Sequence, residues 1–212
     1  MYSKLQYISQ GETIDDQLRN IHQALDAGCN WVQMRFKNQT QKDVFTLAEA
    51  VKPLCEEYLA NFIVNDDLHL AEQIAADGVH LGLKDTKIDE ARALLGSTKI
   101  IGGTANTFED IENHVKNGCD YIGLGPFRFT ATKEKLSPIL GLSGYHEILQ
   151  KLKKNKIDIP VYAIGGITVR DVSPLMETGI FGIAASGIIT ESDEKPKLIQ
   201  QLKEKLYADI IV

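Results

Sequence analysis

The chain has 212 residues, of which 43% are hydrophobic and 25% charged. That composition is ordinary for a globular protein and is long enough for one α/β barrel but short of two average domains. A net charge of −6 leaves no basic excess for a nucleic-acid footprint, so an anionic ligand must be held by a few local cations. No run approaches the roughly 18 apolar residues of a membrane span. Met1–Lys4 leads straight into a strand-like run with no apolar secretion-signal core, and Cys29, Cys55 and Cys119 form no CxxC pair. A cytoplasmic protein that binds neither nucleic acid nor membrane is expected.

In chain order, short apolar runs alternate with amphipathic ones. Strand-like Leu5–Ile8 precedes helical Asp15–Ala27, Trp31–Phe36 precedes Lys42–Leu59, Phe62–Asn65 precedes Leu68–Ala76, and Gly78–Leu81 precedes Ile88–Leu95. The second half repeats the alternation: Ile100–Thr104 with Thr107–Asn117, Tyr121–Gly125 with Gly144–Asn155, Val161–Ile164 with Val169–Glu177, and Gly182–Ala185 with Lys195–Leu206. Near-continuous apolar strands suit a parallel sheet covered by helices. Gly28, Gly78, Gly118 and Gly179 each stand between a helical run and strands two, four, six and eight, which predicts left-handed glycines closing those helices. No linker or low-complexity tract divides residues 1–212. The expected architecture is one domain, a single (β/α)8 TIM barrel, with an open doubly wound sheet as the rival fold.

In such a barrel the active site lies at the C-terminal ends of the strands. Strand two runs into Gln33-Met34-Arg35-Phe36-Lys37, and alternation puts Gln33, Arg35 and Lys37 on one face. These cations either meet an anionic ligand, pair with structural carboxylates or reach solvent. Strand three ends in Asn65-Asp66-Asp67 and strand four in Gly82-Leu83-Lys84-Asp85. Asp67 is placed to cap the next helix, which leaves Asp66 and Asp85 on neighbouring strand ends to share a hard cation such as Mg²⁺. His80, in mid-strand, reads as a satisfied core residue.

Strand five ends in Gly102-Gly103-Thr104, followed by Thr107 with Asp110 three residues on, a variant capping box. The long stretch after strand six carries Thr130, Thr132 and Lys133, which fit either phosphate binding or a solvated basic loop. Ile164-Gly165-Gly166 and Ala185-Ser186-Gly187 end strands seven and eight, where barrels commonly bind phosphate through backbone N–H groups. Nucleotide-binding glycine loops and zinc-protease motifs are absent.

Taken together, the segments Gln-x-Arg-x-Lys at 33–37, Asn-Asp at 65–66, Gly-Val-His-Leu-Gly-x-x-Asp at 78–85, Ile-Gly-Gly-Thr at 101–104, Gly-Leu-Gly-Pro at 123–126, Thr-Ala-Thr-Lys at 130–133, Ala-Ile-Gly-Gly-Ile at 163–167 and Ser-Gly at 186–187 resemble the thiamine phosphate synthase family over nearly the whole chain. The resemblance implies that Gln33, Arg35, Lys37, Asn65, Thr104 and Lys133 contact an aminopyrimidine diphosphate. It implies that Asp66 and Asp85 hold Mg²⁺, and that Thr130, Thr132, Gly166, Ser186 and Gly187 hold a thiazole phosphate. It also implies a dissociative reaction, in which diphosphate leaves first and the thiazole nitrogen captures the pyrimidine methyl cation. The chain departs from the family pattern at Leu83, Phe129 and the Ala184–Gly187 strand exit. A thiazole tautomerase-like relative and a non-catalytic phosphate-ligand binding protein are the competing readings. A homodimer is compatible with the sequence, which shows no surface stripe that specifies one.

Overall fold

Parallel strands with helical crossovers need both faces covered, and this chain supplies a helix after every strand. The computed structural model describes residues 2–129 and 138–208. In order they form β1 (Leu5–Ile8), α1 (Ile14–Asp26), β2 (Trp31–Met34), α2 (Gln41–Glu57), β3 (Asn61–Asn65), α3 (Leu68–Gln73), β4 (Gly78–Leu81), α4 (Ile88–Leu95), β5 (Ile100–Ala105), α5 (Phe108–Lys116), β6 (Tyr121–Leu124), α6 (Gly141–Lys154), β7 (Val161–Ile164), a 3-10 turn (Val169–Asp171), α7 (Val172–Glu177), β8 (Gly182–Ala185), α8 (Gly187–Thr190) and α9 (Lys195–Leu206). Each strand pairs in parallel with its successor. β8 returns to β1 through Leu5↔Ile183 and Tyr7↔Ala185, closing an eight-stranded barrel. The TIM barrel is therefore the fold, and the open doubly wound sheet is ruled out. No helix among the described residues is long and apolar enough to cross a membrane.

Local chemistry explains where the helices begin. The Thr13, Thr40 and Asp67 side chains each accept an N–H bond from the first turn of α1, α2 and α3. Thr107 and Asp110 form a reciprocal capping box on α5. Each such cap satisfies donors the helix cannot use internally.

The helix ends differ from expectation at one position. Gly28, Gly118 and Gly179 do adopt left-handed backbone, but Gly78 does not. It is the first residue of β4, where a Cβ would fall 2.0 Å from the Ile100 carbonyl oxygen. Its glycine is needed for close strand contact, and the left-handed turn before β4 is taken by Ala75 (φ 52°). Leu59, Gly96 and Lys156 do the same before β3, β5 and β7. The left-handed turn thus recurs before every strand from β2 to β8, and the alternation visible in the sequence reflects only where glycine fills it.

Two apolar regions result. One lies between strands and helices and contains residues such as Ile21, Leu47, Val64 and Leu202. The other lies inside the barrel, where Trp31, Tyr121 and Tyr162 meet nearly edge-on with ring centroids 5.2–5.5 Å apart. Gly102 makes room for Tyr121, because a Cβ there would sit 2.2 Å from the ring. This aromatic layer closes the interior below the strand exits.

Candidate active site

β2 ends at Met34 rather than Phe36. Gln33 stays inside the barrel at 2% exposure, Arg35 is half-buried and Lys37 is exposed. The alternation read from the sequence survives this early ending, since Met34 and Phe36 pack into the helix-side core. The buried Gln17 amide holds the Arg35 carbonyl at 3.0 Å, and the Arg35 N–H donates to Ser9 Oγ at 2.9 Å, so the start of the segment is fixed from β1 and α1.

Gln33 donates its amide nitrogen to Asn65 Oδ1 at 2.8 Å, joining the exits of β2 and β3. Its own Oε1 is buried with no hydrogen-bond partner among the described residues. A buried acceptor left in this state is unfavourable unless a ligand supplies a donor.

Lys37 Nζ lies 2.7 Å from Asp66 Oδ2. Asp66 is left-handed (φ 67°), a conformation uncommon outside glycine and costing about 1 kcal/mol or more. The Asp66 amide donates to the His80 carbonyl at 2.8 Å, which holds the turn in place.

Across the β3–β4 seam, the Asp66 carboxyl meets that of Asp85. Burial raises the pKa of Asp85, and the neighbouring Asp66 carboxylate adds to the rise. Burial acts the same way on Asp66, but Lys37 and the bond from Asp85 outweigh it and hold Asp66 below the usual range. The two carboxyls are therefore driven apart in acidity, with Asp66 the stronger acid of the pair. Asp85 is held in turn by the Gly82 N–H at 2.7 Å. Burial lowers the pKa of the Arg35 guanidinium, and Asp66 offsets part of that effect. A cavity of about 280 Å³ opens beside Lys37, Asn38, Asn65 and Asp66, towards α2.

Thr104, at the end of β5, is buried with its hydroxyl 3.0 Å from His80 Nε2. His80 is indeed a buried residue with both ring nitrogens engaged. Asp67 caps α3, as its position predicted.

The opposite side of the barrel mouth has a different character. Gly165 and Gly166 are left-handed (φ 93° and 69°), and a Cβ on Gly166 would fall 2.4 Å from Arg128 Cγ. Arg128 makes a two-pronged ion pair with Asp171 at 2.7 and 2.8 Å and donates to the Gly166 carbonyl at 2.8 Å. It thereby clamps the segment after β6 to the segment after β7. Sequence reading could not assign Arg128 this role, because its partner lies 43 residues on with no local pattern linking them.

At the exit of β8 the Ser186 hydroxyl donates to the Ile8 carbonyl at 2.7 Å, tying β8 to β1. Among the described residues, that leaves backbone N–H groups as what this corner offers. Gly187 opens α8, so its N–H has no acceptor within the helix. Thr130, Thr132 and Lys133 lie outside the described residues.

These strand exits bring together Gln33, Arg35, Lys37, Asn65, Asp66, Asp85 and Thr104 on one side and the Gly166 and Ser186–Gly187 backbone on the other. A family model described as thiamine monophosphate synthase matches residues 5–189. The thiamine-phosphate synthase of Flavobacterium johnsoniae is 79% identical over the full length of both chains. That of Flavobacterium psychrophilum is 62% identical over 97% of this chain and all of its own. Among solved structures, a thiamine phosphate pyrophosphorylase from Pyrococcus furiosus superposes with a TM-score of 0.83 at 28% identity, covering 99% of this chain and 97% of that one. A 3-hexulose-6-phosphate synthase from Salmonella typhimurium shares the fold alone, with a TM-score of 0.70 at 12% identity over 97% of this chain and 99% of that one. By its fold and by sequence along its whole length, the chain belongs to the thiamine monophosphate synthase family and is a transferase that makes thiamine phosphate.

Proposed function

We propose that the chain joins 4-amino-2-methyl-5-(diphosphooxymethyl)pyrimidine to 4-methyl-5-(2-phosphooxyethyl)thiazole, forming thiamine phosphate and releasing diphosphate. The observation that carries the pyrimidine assignment is Gln33. Its amide is aimed by Asn65 and its buried Oε1 lacks a donor, which an exocyclic amino group supplies. Lys37 and Arg35 stand at the same exit, where the cationic groups complement a diphosphate. As the carbon–oxygen bond to diphosphate breaks, negative charge grows on the leaving group, and fixed cations stabilise that charge where it develops. The electron-rich aminopyrimidine supports its own methyl cation until the thiazole nitrogen adds. No protein base is needed for that step.

Asp66 and Asp85 fit Mg²⁺. Two facing carboxyls are a matched pair for one divalent ion, and no group of three or more acidic, His or Cys ligands occurs among the described residues. Mg²⁺ prefers this sparse provision, one or two carboxylates with phosphate oxygens and waters completing the shell. When bound, the ion would withdraw charge from the departing diphosphate. The thiazole phosphate falls to the backbone N–H groups at Gly166 and Ser186–Gly187, which bind an anion without adding positive charge.

The test is product formation from the two substrates with Mg²⁺ and then with EDTA. Mg²⁺-dependent thiamine phosphate is the expected result. Activity undiminished in EDTA would remove the metal from the reading. Thiazole isomerisation without carbon–nitrogen bond formation would favour the tautomerase, and tight binding without turnover the binding protein.

A further inference from the structure

A line of hydrogen bonds runs through the barrel interior to the active-site hydroxyl of Thr104. Gln6 Nε2 lies 3.1 Å from Tyr121 Oη, Tyr121 Oη lies 3.0 Å from His80 Nδ1, and His80 Nε2 lies 3.0 Å from Thr104 Oγ1. All four residues are buried, at 8% exposure or less. Gly123 keeps space for the imidazole, since a Cβ there would sit 3.0 Å from His80 Cε1.

The direction of each bond follows from its neighbour. An amide nitrogen only donates, so Gln6 occupies a lone pair of Tyr121 Oη. The buried phenol proton has no other acceptor among the described residues, so it goes to His80 Nδ1. Burial pushes the Tyr121 pKa far above its ordinary value, so that proton stays in place. A neutral imidazole that accepts at Nδ1 carries its hydrogen on Nε2, and that N–H donates to Thr104 Oγ1. With its oxygen occupied as an acceptor, the Thr104 hydroxyl has its own hydrogen left for the active site.

We propose that Gln6, Tyr121 and His80 act as positioning residues that fix the Thr104 hydroxyl as a donor towards the pyrimidine diphosphate. This rests on the reading that Thr104 faces that substrate. In the other imidazole tautomer, Thr104 would donate to Nε2 and present a lone pair to an anion whose charge grows during the reaction. The relay therefore sets the sign of the dipole that the substrate meets.

Two measurements test it. In the ligand-free protein, ¹⁵N NMR of the assigned His80 ring is expected to show the neutral Nε2–H tautomer, with Tyr121→Phe giving a mixture. A wild-type ring protonated at Nδ1 overturns the proposal. In a double-mutant cycle, Thr104→Val and His80→Leu are each expected to lower kcat/KM for the pyrimidine diphosphate by about tenfold, one buried hydrogen bond's worth. The thiazole phosphate KM should stay unchanged and the double variant should be little worse than either single one. Additive losses would overturn the relay while leaving Thr104 at the substrate. A neutral Thr104→Val would overturn the placement of Thr104 itself. Should His80→Leu fail to fold, Tyr121→Phe takes its place in the cycle, because it keeps the ring packing and removes only the hydroxyl.

Discussion

The two halves of the barrel mouth are built by different means. At the exits of β2, β3 and β4, side chains do the work: Lys37 on Asp66, Asp66 against Asp85, Gln33 on Asn65. At the exits of β7 and β8 the side chains of the described residues are structural. Arg128 is spent on Asp171 and Ser186 on Ile8, which leaves the backbone. A half built from side chains is tunable by charge and proton. A half built from backbone is fixed by conformation, and only a change that moves the chain should disturb it.

The largest expected effect breaks the first half alone. Asp66→Ala should reduce kcat by about 100-fold or more, the scale of losing a charge-stabilising group at a reacting centre. It should leave the thiazole phosphate Kd, measured by calorimetry, near wild type. Equal loss of both would sink the division of the mouth.

Gly166→Ala is the mirror experiment. It forces a Cβ into Arg128 Cγ and onto a left-handed backbone. The thiazole phosphate KM should rise about fivefold, the equivalent of about 1 kcal/mol of backbone strain, with little change in the pyrimidine diphosphate KM.

Gly82→Ala sharpens the first half more gently. Its Cβ would lie 2.7 Å from Asp85 Oδ2, so Asp85 must shift. The Mg²⁺ concentration for half-maximal activity should rise about fivefold, as expected for weakening one ligand bond, with kcat recovered at saturating metal. An unchanged Mg²⁺ requirement would count against Asp85 as a ligand.

The smallest effect tests the clamp behind the second half. Burial would raise the Asp171 pKa, but its bonds from Arg128 and Thr168 outweigh this and hold it below the usual range. A lowered folded-state pKa stabilises the protein above the ordinary carboxylate pKa and ceases to do so as pH falls through the lowered value. Asp171→Asn should therefore lose about 1 kcal/mol in urea unfolding at pH 7, since Arg128 is partly exposed. The gap between the two proteins should close below about pH 4. A gap that persists in acid would show the clamp to be packing rather than charge.

Much of this was legible in the sequence. The bounds of β1, β4, β7 and β8 follow from their apolar runs, and the charged residues at strand exits could be gathered because a barrel orders its strands by chain position. What lay hidden is the contact between distant segments. Nothing near Gln33 names Asn65, and nothing near Arg128 names Asp171, because those pairings are made by closure of the barrel. β2 reads two residues too long because Phe36 continues the apolar alternation and packs in the core after pairing with β3 has ended. α8 escaped notice because four residues, Gly-Ile-Ile-Thr, are too few to show a helical period. Gly78 was misread because the same residue type serves a left-handed turn and a tight strand crossing.

The turn at Asp66 also bears on how this barrel would respond to selection for heat tolerance. Glycine adopts φ 67° freely, so Asp66→Gly would relieve the backbone while giving up the ion pair with Lys37. Relief of strain and loss of the ion pair offset one another, so the exchange should leave the melting temperature nearly unchanged while removing a proposed metal ligand. A library screened for survival on heating alone would accept glycine there and come out as a folded, inactive barrel. Turnover has to be part of the screen from its first round.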